Sequence, residues 1–588
     1  MWLTIARLLL FFVSSIGYWE VFRRKTKITL YFLPAFTVSC QVTALFVAGL
    51  LNCLAEAAFW LFVTGMLLAV FYGMGDFWKH SRAKGDALAF FWGYCNVGYL
   101  YFFAALGIVL LAVRGRIFVH YDNFSHWALV VRNMLQSDRY PNFRDTLVTF
   151  QEYPLGSASF IYYFSKAVSR AENIQMLAQA YMMISFLLPV FKYVRKQKWA
   201  ALAYMVLFTN YIFCYNTGIN DLLVDTLLPL QGAALLLFLY SECQLYGKAA
   251  DGGVSVLYAI PFFCMAMQVK NSGIYFVAAG CILVFYRCFK AKGQGAWKYL
   301  VTAAAPFFSL YFWKAHCSYV FAGADVSKHA MTAENYGQVY SEKSAGDIRL
   351  IVQKMFHFFV SGKDLYCLAG FLVFAGTVIF FLGKGVWKKY ACFLGASVFL
   401  YLTYMAGMLF MYLFSMPGGE AEMLAGSDRY RKTIFIAIYY FASVMVLQYI
   451  PDIGKNYRGG VYSAAVALSL AILWRTQFGQ FTTIFAPYDA SERLWFEQAV
   501  RENAVGTSQS YVVCIPADDS GYAYYLCKYL LFSSNISVRT VAGEGQTEDL
   551  QNFNYVFLYD SGNEILEGWV RTQYPAQAGK PVIKTEGQ

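Results

Sequence analysis

The chain is short of charge. Asp, Glu, Lys and Arg make up 14% of its 588 residues, against about 25% in an ordinary soluble domain. That deficit excludes a soluble globular protein of this length. The sequence also holds no P-loop, no dinucleotide-binding glycine motif and no Gly-x-Ser-x-Gly elbow. Nothing in it therefore points to an internal ATPase, a Rossmann cofactor site or a serine hydrolase. No CxxC and no Cys/His ligand spacing occurs, so the cysteines point to no zinc site. The thirteen cysteines are scattered, mostly in apolar runs where cysteine acts as a small hydrophobe. Cys514 and Cys527 are a candidate pair that spacing alone does not establish.

Apolar residues are plentiful, at 59%. Runs of about 20 recur along most of the chain, continuous rather than alternating, which indicates spanning helices and not a β-barrel. The reading is an α-helical polytopic membrane protein with about 14 spans. They fall near 3–22, 28–50, 57–75, 88–113, 174–192, 199–217, 222–244, 253–269, 272–287, 299–321, 366–382, 391–414, 432–449 and 460–478. The first 27 residues place their charge cluster after the apolar stretch and lack a small-residue cleavage site. They read as a retained helix, not a signal peptide.

Lysine and arginine sort by loop. RRKTK (23–27), KHSRAK (79–84), KYVRKQK (192–198), RCFKAK (287–292) and KGVWKK (384–389) fall in one set of alternate loops. The short loops around Asn52–Glu56 and Gly218–Asp221 hold neither residue. The positive-inside rule puts the first set in the cytoplasm. This accounts for the net charge of +12 without nucleic acid. Outside then lie loops 114–173, 322–365 and 415–431, together with 479–588. That last segment is expected to be a small extracytoplasmic α/β domain, with strands at QSYVVCIP, ISVRTV and NYVFLYD and a helix at GYAYYLCKYLLF. The expected division is 1–87 for N-terminal helices, 88–478 for a membrane core and 479–588 for the soluble domain.

Loop 114–173 carries the chemistry. After Asp122, the apolar residues Phe124, Trp127, Ala128, Val131, Met134 and Leu135 recur at helical spacing, with Ser125, His126, Arg132 and Asn133 on the other side. The pattern predicts a helix lying flat in the membrane interface. Asp122 either caps this helix or faces a cavity, where a carboxylate can accept a proton from a hydroxyl or amine. His126, four residues on, is placed to touch it; a His120/Asp122/His126 metal site is the weaker option. Tyr153-Pro154 then breaks the chain ahead of a short aromatic helix, and Glu152 beside it is a second candidate carboxylate for substrate hydroxyls. Asp221 and Asp225 start one helix and Lys270 ends another. Asp225 and Lys270 either neutralise each other or serve a ligand, the lysine meeting a phosphate. Arg429 and Tyr430 open a late helix, where the arginine either anchors to headgroups or forks onto phosphate oxygens.

An early aspartate in a long external loop, two flat helices and a Tyr-Pro turn into an aromatic helix resemble the GT-C superfamily of membrane glycosyltransferases. That superfamily includes the protein O-mannosyltransferases and the lipid A aminoarabinose transferases. The resemblance covers roughly 88–450. It implies a GT-C-like core, Asp122 as catalytic base, and His126, Glu152, Asp221, Asp225, Lys270, Arg429 and Tyr430 around the substrates. The implied donor is a polyprenyl-phosphate sugar, and the acceptor an external glycan, lipid or protein at the cell membrane. Asp122 is followed by Asn123 where the family often pairs two acids, which leaves a divalent cation (magnesium or manganese) open. The competing classes are a transporter of lipid-linked glycans, which breaks no bond, and a polysaccharide polymerase or ligase.

Overall fold

A computed structural model describes residues 2–82, 93–194, 198–243, 254–322, 333–380, 384–449, 484–485, 487–503, 505 and 509–585. Helices dominate it. In chain order, those of ten or more residues begin with α1 (Trp2–Thr26), α2 (Leu33–Leu50), α3 (Leu54–Arg82), α4 (Val97–Ala112), α5 (Ala128–Ser137), α6 (Gly156–Ala167), α7 (Glu172–Leu187) and α8 (Lys198–Tyr215). Next come α9 (Leu227–Ser241), α10 (Ile260–Val269), α11 (Ile274–Lys290), α12 (Ala296–Val320), α13 (Ala345–Val360), α14 (Lys363–Phe380), α15 (Lys384–Phe414) and α16 (Ser427–Tyr449).

Among the described residues, eight stretches are long and apolar enough to cross a membrane: Trp2–Thr26, Leu30–Leu50, Leu54–Gly75, Glu172–Tyr193, Asn271–Lys290, Ala345–Val373, Gly385–Phe414 and Ser427–Tyr449. They identify a helical membrane protein. The number is smaller than the sequence suggests, for physical reasons. Val97–Ala112, Leu227–Ser241 and Val256–Val269 are apolar but shorter. Lysines, tyrosines and tryptophans dilute the apolar character of α8 and α12. The expected span at 460–478 lies outside the described residues. In 322–365, expected as a loop, α13 forms instead. Its start is a capping box: Asp347 N–H donates to Ser344 Oγ (3.2 Å), and Ser344 N–H donates to the Asp347 carboxylate (2.8 Å).

Helix α7 is the centre of the bundle. Its whole apolar window is buried. Tyr181 on it packs edge-on against Phe11 of α1 (5.6 Å) and stacks on Phe160 of α6 (5.8 Å, 14°). The short α6 thus sits inside the bundle rather than on a surface: Gly156 through Ser165 are all buried. Gly156 permits this, because a Cβ there would fall 2.6 Å from Gln268 Cβ.

The C-terminal region folds as α/β. Strands β1 (Tyr511–Cys514), β2 (Ile536–Arg539), β3 (Tyr555–Leu558) and β4 (Val582–Lys584) form one sheet in the order β2-β1-β3-β4. β1 pairs parallel with β2 and β3, and β3 pairs antiparallel with β4. Helix α17 (Ser491–Glu502) precedes the sheet, α18 (Tyr522–Leu531) joins β1 to β2, and α19 (Glu564–Gln573) follows β3. Side chains alternate across the strands. Tyr511 and Val513 meet α17 and α18, while Val512 and Cys514 meet Trp569 and Val570 of α19. Cys514 and Cys527 are therefore on opposite faces of the sheet, both as buried free thiols, and cannot bridge.

Candidate functional site

Four charged residues from distant parts of the chain meet in one line. Asp122 is a helical residue (φ −65°, ψ −19°) just before the turn at Asn123–Trp127, after the irregular stretch 116–120 that follows α4. Asp225 lies in the turns before α9. Lys270 is the extended residue (φ −161°, ψ 148°) that terminates α10, and Arg429 is in the first turn of α16. Arg429 Nη1 donates to Asp122 Oδ2 at 2.5 Å, and its Nε lies 3.6 Å from Asp225 Oδ2. Lys270 Nζ donates to Asp225 Oδ1 at 2.8 Å. The Tyr430 ring sits under both cations, 5.1 Å from Lys270 Nζ and 5.5 Å from the Arg429 guanidinium carbon. Asp225 is nearly sealed, with 4% of its side chain exposed, whereas Asp122 keeps 26%. Burial alone would push the Asp225 carboxyl up; Lys270 and Arg429 outweigh it and hold the group below the usual carboxylate range.

No family model, curated protein or solved structure matches the chain. The site therefore has to be read from its own geometry.

Asp122 does not cap the helix that follows, since its side chain makes no capping bond. A π-turn over Asn123–Trp127 precedes α5. His126 lies inside this turn, near enough to feel the Asp122 charge, but its buried Nδ1 is not bonded to that carboxylate. Three aromatic rings surround His126 instead: Trp127 at 4.9 Å, Tyr153 at 4.9 Å and Phe150 at 5.8 Å. Its Nδ1 has no hydrogen-bond partner among the described residues. Burial pulls its pKa down to about 3, so the ring is neutral. The hydrogen-bond partner of Asp122 is Arg429 rather than His126, and among the described residues no three His, Cys, Asp or Glu side chains are grouped to hold a metal ion.

Asp221 is close to the line but not a link in it. It is buried, and its Oδ1 accepts from Leu223 N–H at 3.0 Å. Burial pushes its carboxyl up to about 8, with the charges of Asp225 and Asp122 adding to the effect. An unfolded aspartate titrates near its ordinary 3.8. Between those values only the folded chain holds the proton, so stability falls as pH rises across that window. Asp221→Asn has no proton to lose. Its melting temperature relative to wild type should climb from about pH 4 to about pH 8 and level off above. Two parallel curves over that range would show that Asp221 is not a protonated acid. Glu152 also stands apart from the line: it borders a separate cavity with Asn271, Trp313, Lys314 and Ser318.

What holds Asp122 in place has no local signature in the chain. Among the described residues the stretch ahead of it has no strand partner, and side chains satisfy its backbone. Ile117 N–H donates to Tyr488 Oη (2.6 Å), Phe118 N–H donates to Glu172 Oε2 (2.6 Å), and Val119 C=O accepts from Tyr522 Oη (3.1 Å). Tyr488 and Tyr522 belong to the C-terminal region. Helix α18 covers the π-turn, with Phe124 5.3 Å from Tyr529, and Tyr121 packs edge-on against Tyr525 at 5.1 Å. Arg132 donates to the carbonyls of Tyr529 and Leu530 at the end of α18, where helical carbonyls lack partners. The segment expected to lie flat with its polar side in water is consequently buried on both sides.

Glu172 is the hub of this docking. Its Oε1 also accepts from Arg493 Nη2 (3.0 Å) and Tyr529 Oη (2.8 Å). Arg493→Ala strands that carboxylate in a buried junction, a loss of about 3–5 kcal/mol for fully buried pairs. Limited proteolysis should then release the C-terminal region much faster than in wild type, with Arg493→Lys intermediate. Equal cleavage rates would mean that the ion pair does not hold the junction.

Proposed function

We propose that the chain is an inverting GT-C-like glycosyltransferase that uses a polyprenyl-phosphate sugar donor. The observation that supports this most is the line Asp122–Arg429–Asp225–Lys270, in which a partly exposed carboxylate and two cations share one site. Sugar transfer needs those groups: a base for the acceptor proton, and positive charge for the departing phosphate.

In this reading Asp122 takes the acceptor's O–H proton as that oxygen attacks the anomeric carbon. The bond from that carbon to the phosphate oxygen breaks, and the electron pair leaves with polyprenyl phosphate, steadied by Arg429 and Lys270. Without donor the four charges sum to zero, so an incoming phosphate has to displace a carboxylate. Asp122 is the one to yield, because it is the more solvated of the two. Donor binding therefore frees the base from Arg429.

The proposal includes about 14 spans, a core over 88–478, an external C-terminal domain from 479, and residence in the cell membrane with an external glycan, lipid or protein as acceptor. Purified chain in lipid nanodiscs, given a polyprenyl-phosphate sugar and a crude envelope acceptor, should release polyprenyl phosphate. Intact donor after prolonged incubation counts against it.

A further inference from the structure

We propose that Tyr121 and the part of α18 that carries Tyr524, Tyr525 and Lys528 form a subsite for a glycan bearing an acidic group, with Lys528 holding the acid. Three tyrosines make a row that starts at the charged line. Tyr121 directly precedes Asp122 and packs edge-on against Tyr525 at 5.1 Å, and Tyr525 packs edge-on against Tyr524 at 5.1 Å. All three stay partly exposed, although the first contact also helps to seat the C-terminal region. Lys528 closes the row, with its Nζ 5.6 Å from the Tyr525 ring centre and 5.8 Å from that of Tyr524.

Lys528 decides the chemistry. Six cations are buried among the described residues: Arg116, Arg287, Lys343, Arg431, Arg493 and Lys528. The first five donate to carbonyl or side-chain oxygens. Lys528, only 1% exposed, donates to no oxygen among the described residues, and its cation contacts are the two tyrosine rings. A buried ammonium without an anion is costly. Burial pulls its pKa down to about 8, and no neighbouring charge of either sign acts on it. At neutral pH it keeps its proton, so a carboxylate or phosphate from outside supplies the missing partner.

The rest of the row selects a sugar and orients it. Each tyrosine offers an apolar ring for C–H faces and a hydroxyl that donates and accepts, the pairing that a hydroxyl-rich ring requires. At the end nearest Asp122, Tyr121 feels the negative charges of Asp122 and Glu420, which repel an anion; Lys528 stands at the far end. An acidic glycan therefore lies with its acid away from Asp122 and a free hydroxyl toward it. That this glycan is the acceptor rests on the glycosyltransferase reading; the binding itself does not.

The test uses the full chain in phosphatidylcholine nanodiscs on an array of immobilised oligosaccharides, each in neutral, carboxylated and phosphorylated form. Wild type should be retained about 10-fold or more strongly by an acidic form than by its neutral counterpart, the worth of one charged hydrogen bond. Lys528→Met should erase that difference while melting at or above wild type, because it removes an unpaired buried charge; Lys528→Gln serves if the methionine chain does not fold. Tyr524→Ala, which leaves the Tyr121–Tyr525 contact in place, should weaken retention of both forms. No retained sugar, equal retention of neutral and acidic forms, or an acid preference that survives in Lys528→Met overturns the assignment. So does a chain that ignores acidic sugars but binds phosphatidylglycerol vesicles through Lys528, since the anion is then a lipid headgroup. In a transfer assay, Lys528→Met should raise KM for an acidic acceptor about 10-fold and leave donor KM unchanged. A chain that binds acidic sugars through Lys528 but releases no polyprenyl phosphate would remove the transferase reading and leave the subsite standing.

Discussion

Asp122→Asn should lower kcat by about 10²–10⁴-fold, the usual contribution of a positioned general base, without weakening donor binding. The two halves of that expectation have separate causes. An amide cannot take the acceptor's proton, so the chemical step loses its base. The same amide competes less well than a carboxylate for the guanidinium that it faces at 2.5 Å, so the donor phosphate meets a more available Arg429. Donor KM should stay level or fall. The substitution is nearly isosteric, and the amide oxygen can still accept from Arg429, so the melting temperature should hold. A variant that keeps wild-type kcat would remove Asp122 as the base. A variant that loses donor affinity along with kcat would instead make Asp122 a binding group.

The sequence carried the parts of this site but not its wiring. Hydrophobic runs located the helices, because burial in lipid or protein imposes long apolar stretches that any window reveals. Asp122, Asp225, Lys270 and Arg429 stood out for a related reason: a charge at the end of an apolar run needs a partner. What no local pattern reveals is which partner. Arg429 and Asp122 are 307 positions apart, and only the packing of α16 beside the 116–122 stretch brings them together. His126 failed for a subtler cause. Spacing of four residues puts two side chains on one face of a helix, but it does not say that a guanidinium from α16 takes the carboxylate while aromatic rings close around the imidazole. Loop 114–173 misled through its amphipathic rhythm as well: on the side that looked destined for water, Arg132 bonds α18, a helix some 400 residues downstream, and Asn133 bonds Asp145. The C-terminal strands were easier, since short β-branched and aromatic runs between turn residues are a local signal.

Arg429→Met should cost about 10²–10³-fold in kcat/KM, the range for removing one preorganised donor from a developing anion, and it should also destabilise the chain. Both effects follow from the arginine's position between two carboxylates. Its loss leaves Asp122 with water and leaves Asp225, almost fully buried, with Lys270 alone. A pair broken in the interior is worth about 3–5 kcal/mol. The surviving 2.8 Å bond to Lys270 keeps the expected loss toward the lower end. Arg429→Lys separates charge from shape. A lysine restores one positive charge but has no fork, so it can reach Asp122 or Asp225 but not both. Stability should largely return with it while transfer does not, and donor KM should stay raised, because the phosphate loses its two-pronged contact. The melting temperature and the donor KM of the two variants, measured side by side, decide the matter. If lysine restores catalysis as fully as it restores stability, Arg429 acts only as a counter-charge holding Asp122 and Asp225 in place, and the donor phosphate is gripped elsewhere.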